Sequence, residues 1–119
     1  MIPVWKVYLR VAWACKTPFV LPFDVEYKEV TYRVLIDIAK TIKETFKYIT
    51  DVSDCDDAAW QFKAVASHKK ENGVGLVVGW HNGLHCWNVV LRDFGTTQQI
   101  EPQTGNPVGK GYHAFLAEI

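Results

Sequence analysis

Asn72-Gly73 divides this chain into two regimes of apolar spacing. Before it, Val34, Leu35, Ile38, Ala39, Ile42, Phe46 and Ile49 recur at steps of three and four, the stripe that one face of a helix buries. After it, the apolar residues fall into short runs and alternations broken by His81-Asn82-Gly83 and Asp93-Phe94-Gly95, the pattern of strands joined by turns. A 3.6-residue period and a two-residue period do not interchange. The spacing therefore predicts helices over about residues 27–48 and 55–70, then strands over 74–80, 84–92 and 96–103. Helices first and an antiparallel meander second define an α+β domain, with the N-terminal helices packed on an antiparallel β-sheet. Residues 4–13 alternate too, with Trp5, Val7, Leu9 and Val11 against Lys6, Tyr8 and Arg10, and predict a half-buried strand ahead of the helices. Residues 112–119 are too short to assign.

Composition narrows the function. At 119 residues the chain is the size of one domain, residues 1–119. Its 49% hydrophobic content can build a core, and its formal net charge is zero. A nucleic-acid partner needs a positive field that this balance does not supply. No apolar run approaches the roughly 20 residues that span a bilayer, so no membrane partner is expected. Lys6 and Arg10 interrupt the first apolar stretch, so it does not read as a secretory signal. Cys15, Cys55 and Cys86 are odd in number and widely spaced, which points to free thiols in a reducing, cytoplasmic setting.

One constellation carries chemistry. Cys55, in Asp54-Cys55-Asp56-Asp57, opens the second predicted helix, where unpaired N–H groups and the helix dipole favour a thiolate. Its acidic neighbours oppose that effect unless they bind a cation. The bland alternative is a small buried residue packing the helix end. His85 lies on a strand and shares a face with Trp87 and Val89; alone it would be an ordinary histidine. A three-residue loop at Asp93-Phe94-Gly95, with Gly95 left-handed, pairs Arg92 with Thr96, Trp87 with Glu101 and His85 with Gln103. Glu101 is then the diagonal neighbour of His85 on the same face, within reach of a long side chain. Gln103, directly opposite, is the rival partner. Cysteine, histidine and acid in this order are the elements of a thiol acyl-transfer site.

The stretches Asp-Cys-Asp-Asp at 54–57, His-Cys-Trp-Asn at 85–88 and Ile-Glu-Pro-Gln-Thr at 100–104 resemble the papain-like cysteine peptidase superfamily. They are most similar to its small transglutaminase-like and agglutinin-associated protease branch, over about residues 50–105. The resemblance implies a papain-like fold and a peptidase or amidase, or a transglutaminase-like acyltransferase, acting on a peptide or protein amide. Cys55 would be the nucleophile, His85 the general base and Glu101 the orienter. No cofactor is required, but the resemblance points to calcium, for which Asp51, Asp54, Asp56 and Asp57 offer hard oxygen ligands. A solvated acidic helix start is the alternative for those four.

Two departures stand out. The position six residues before Cys55, where papain-type enzymes carry an oxyanion-hole glutamine, is Ile49; Asn82 or Trp80 would have to help instead. The chain is also short for a peptidase. A zinc site from His81, His85 and Cys86 is disfavoured because neighbouring strand residues point to opposite faces. The functional alternative is a catalytically silent papain-like interaction or assembly module, phage-associated for example, with five tryptophans as contact or core residues.

Overall fold

The computed structural model describes residues 1–49 and 54–119. The order of elements is β1 (Ile2–Pro3), α1 (Val4–Cys15), β2 (Val20–Leu21), β3 (Glu26–Tyr27), α2 (Tyr32–Thr45), α3 (Cys55–His68), β4 (Val74–Trp80), β5 (Leu84–Leu91), a single 3-10 turn at Asp93–Gly95, β6 (Thr97–Ile100) and β7 (His113–Glu118). Five strands form one sheet in the order β2-β7-β4-β5-β6, and β1 pairs with β3 apart from it.

Strand alternation sorts the core into two halves. Val77, Trp87, Val89, Leu91, Ala117 and Ile119 meet Val7, Val11 and Cys15 of α1, together with Tyr27. Val74, Val90 and Ile100 meet Leu35, Ile38, Ala39 and Ile42 of α2 and Phe62 and Ala66 of α3. Helices thus cover both faces. The expectation of N-terminal helices on an antiparallel sheet is corrected on two points: α1 lies on the face away from α2 and α3, and the sheet is mixed, because β2 runs parallel to β7.

The strand expected over residues 4–13 is a helix. Val7, Val11 and Cys15 are its buried residues, spaced by four. Arg10 ties α1 to the far side of the sheet. Its guanidinium donates to Thr97 Oγ1 (3.0 Å), to the carbonyls of Arg92 (3.1 Å) and Thr96 (2.6 Å), and to Glu29 Oε2 (3.1 Å).

The helix expected over residues 27–48 is shorter. Tyr27 belongs to β3 and is fully buried, with its hydroxyl accepting from the Phe23 and Asp24 N–H groups (3.0 and 2.9 Å) and donating to the Ile119 carbonyl (2.8 Å). Helix α2 begins after Thr31, whose side chain accepts from the Val34 N–H. Helix α3 begins at Cys55, as its capping residues predict, and Asp57 Oδ2 accepts from the Asp54 N–H at 3.1 Å. Buried Asn88 fixes α3 to the sheet by donating to the Ala59 and Gly75 carbonyls, each at 3.0 Å.

The β5–β6 register agrees with the turn argument. Leu91 faces Thr97, Val89 faces Gln99 and Asn88 faces Ile100, and the Arg92 N–H donates to the Thr96 carbonyl. Gly95 is left-handed (φ +74°), and so is Phe94 (φ 62°). Pairing stops at Ile100, because Pro102 has no N–H to continue the ladder. Strand β7 then inserts beside β4, with a register shift between Val78 and Gly79. No helix is long and apolar enough to cross a membrane among the described residues.

Candidate functional site

Glu101 leaves the end of β6 on the same face as His85, as the register requires. His85 Nε2 lies 2.7 Å from Glu101 Oε2, and both side chains are largely buried. With a carboxylate as acceptor, Nε2 carries a hydrogen and donates it. Nδ1 has no hydrogen-bond partner among the described residues. The same Oε2 accepts from the Tyr112 hydroxyl at 3.1 Å. The other oxygen, Glu101 Oε1, is buried without a partner among the described residues. Burial first, then the charge of Glu101 and its hydrogen bond, push the Tyr112 hydroxyl up to about 12, so it stays a donor.

Aromatic rings wall this cluster. His81 stacks on Tyr112 at 3.8 Å between centroids, and Trp87 meets Tyr112 edge-on at 5.1 Å. Trp87 is fully buried and donates from Nε1 to Gln99 Oε1 at 2.8 Å, while the Gln99 amide donates to the Ala14 carbonyl at 3.0 Å. Tyr112 and Gln99 also line a cavity of about 420 Å³ that runs past Cys15, Lys16, Lys110 and His113. Tyr112 and Gln99 were not singled out by sequence, and His81 only as a disfavoured zinc ligand. Tyr112 sits in a loop eleven residues from Glu101, and no local pattern announces that contact.

Cys55 has different surroundings. It is half-buried and free, and its thiol makes no hydrogen bond among the described residues. Its charge is felt by Cys86, whose thiol burial first, then Cys55, Asp56 and Asp54, push up to about 11. Cys86 points toward the α3 face and His85 toward the α1 face. The structure thus brings His85 and Glu101 together, and Cys55 is near enough to Cys86 for its charge to act there. Burial alone raises Cys15 to about 12.

Of the four aspartates, Asp54, Asp56 and Asp57 offer oxygens within 4.8 Å of one another; Asp51 lies outside the described residues. Asp54 is pushed up to about 6, first by its hydrogen bond with Asp56, then by burial and by the charges of Asp56 and Asp57. Asp54 Oδ1 is buried without a partner among the described residues. This donor set suits a hard cation such as calcium. Cys86 faces away from His81 and His85, which does not favour a shared zinc.

No protein-family model matches the chain, and no curated protein matches it. Several solved structures are similar in fold, two of them as follows. One is the complex of PSL1a with E64, at 25% identity and a TM-score of 0.78, over 97% of this chain and 49% of that chain. The other is the Polyporus squamosus lectin bound to the human-type influenza-binding epitope Neu5Aca2-6Galb1-4GlcNAc, at 23% identity and a TM-score of 0.79, over 97% and 48%. The chain spans about half the length of these proteins.

These neighbours correct the expected family. The fold is shared with about half of a lectin chain, and the papain-like resemblance is overturned by that likeness. With it go the cysteine peptidase or amidase, the papain-like hydrolase or transglutaminase-like acyltransferase, the peptide amide substrate and the silent papain-like module.

Proposed function

We propose that this chain serves carbohydrate binding as a domain of lectin type, with His85, Glu101 and Tyr112 as the polar contacts of the ligand site. The observation that carries this reading is Glu101. One carboxylate oxygen is held by two donors while the other is buried and unpaired among the described residues. A buried acceptor left open is costly, and a donor brought by a ligand, such as a sugar hydroxyl, would relieve it. Of the aromatic walls, the partly exposed His81 and Tyr112 suit the apolar face of a sugar ring. The neighbouring cavity, about 420 Å³, is in the range of small-molecule sites. Its Lys16, Lys110 and His113 suit an acidic sugar, such as the Neu5Ac unit of the epitope bound by the lectin neighbour.

Isothermal titration with the trisaccharide Neu5Aca2-6Galb1-4GlcNAc and with its neutral Galb1-4GlcNAc portion tests the reading. Binding of the acidic sugar, weakened at least tenfold by Glu101→Gln and by Lys110→Glu, supports it. No heat from either sugar at millimolar concentration refutes it.

Cys55 enters as a reactive thiol at the start of α3, and Asp54, Asp56 and Asp57 as a calcium site at the same helix start. In support stand the helix N-terminus under Cys55 and Asp54 Oδ1, unpaired among the described residues. A thermal midpoint unmoved by millimolar calcium or by chelator would remove calcium from the proposal.

A further inference from the structure

Helix α1 is apolar on two flanks. Val7, Val11 and Cys15 face the core, and the residues it leaves exposed are Trp5, Lys6, Leu9 and Trp13. Trp5 is 59% exposed, Leu9 57% and Trp13 88%. These three are spaced by four, so they form one outer stripe. A helix that is apolar all round is ordinarily buried all round.

We infer that this outer face of α1 packs against the same face of a second copy of this chain, in an antiparallel pair with its two-fold axis at Leu9. Three observations select that occupant. The stripe is symmetric about Leu9, so the axis that stacks Leu9 on Leu9 also places Trp5 of each copy against Trp13 of the other. That pairing sets Lys6 opposite Ala12 and Arg10 opposite Tyr8, so no like charges meet, and Arg10 is already held by Glu29. The three side chains expose about 450 Å² per copy, or about 900 Å² for the pair, on the usual areas of such residues; with the flanking Tyr8 and Ala12 their full burial reaches the roughly 1,000 Å² lower limit of a biological interface, the range of a weak, reversible dimer. A formal net charge of zero adds no long-range repulsion.

Sedimentation equilibrium of the full chain between 1 and 100 µM tests this. The expected result is a species of twice 13.6 kDa, dissociating at least a hundredfold more readily in Leu9→Glu, which sets two carboxylates on the axis. Far-UV circular dichroism should be unchanged, since Leu9 touches no core residue cluster. Trp13→Lys gives an independent disruption should Leu9→Glu fail to fold. Leu9→Cys should cross-link to itself under mild oxidation. A wild-type monomer at 100 µM, as expected if another protein or nothing covers this face, overturns the inference. So does a dimer that survives both substitutions.

Discussion

The three thiols offer a quantitative test of the site's electrostatics. At pH 8 an ordinary cysteine near 8.5 is roughly one quarter thiolate. Cys86, at about 11, is ionised to about 0.1%, and Cys15, at about 12, to about 0.01%. Iodoacetamide reacts with the thiolate, so Cys86 should be alkylated about two hundredfold more slowly than a free cysteine, and Cys15 slower still. Cys55, half-buried at a helix start, is expected to be the one rapidly labelled thiol. Peptide mapping after timed quenching reads all three rates at once. Raising the pH should increase the Cys86 rate about tenfold per unit until pH approaches 11. Burial is the main cause of its shift and the charge of Cys55 the next, so Cys55→Ser should leave Cys86 slow but faster than before. Labelling of Cys86 within tenfold of Cys55 at pH 8 would refute the account of the buried face of β5.

Other outcomes follow from particular contacts. Tyr27→Phe removes one donor and the acceptor of two backbone N–H groups in a buried position, and should lower unfolding stability by about 2–3 kcal/mol in urea titrations; a loss below 0.5 kcal/mol would contradict it. At Gly79 a Cβ would strike the His113 carbonyl and approach Trp87 Cη2 to 2.6 Å, so Gly79→Ala should cost about 3 kcal/mol or more by overpacking, read as a fall in thermal midpoint. Asp54 holds its proton more tightly in the folded chain, at about 6 against an ordinary 3.8. Its penalty is present above pH 6 and relieved as pH falls toward 4, so the thermal midpoint of the wild type should rise relative to Asp54→Asn between pH 7 and pH 5. Stabilisation by calcium should fade over the same interval, measured by differential scanning fluorimetry; a flat difference between the two proteins across that range would exclude the coupling.

Legibility in the sequence followed the physics of each element. The β5–β6 register was readable because a three-residue turn ending in left-handed Gly95 leaves one pairing, which carries Glu101 to the face of His85. Helix α3 was readable from Asp54 and its capping neighbours. Helix α1 was not. A spacing of four, as in Val7, Val11 and Cys15, satisfies both a two-residue and a 3.6-residue period, and only the packing against β4 and β5 decides between them. The start of α2 was misplaced because Tyr27 looks like the next turn of an apolar stripe until its hydroxyl is seen to hold Ile119. Tyr112 carried no signal, since a loop residue that closes a site does so through contacts far along the chain. Trp60, one of the five tryptophans whose role as contact or core residues the sequence left open, stands 57% exposed, because Ala59 and Phe62 already fill the contact with the sheet.

Arg10 has one more implication. In an isolated hairpin the loop alone decides which residues stand opposite each other. Here a guanidinium from another layer grips Arg92, Thr96 and Thr97 and keeps the two strands aligned from outside. Phe94, 95% exposed at the tip, is thereby released from that duty. The loop becomes a place where length and chemistry can drift over generations, even by an inserted residue, while the carboxylate carried at the far end of the ladder keeps its position.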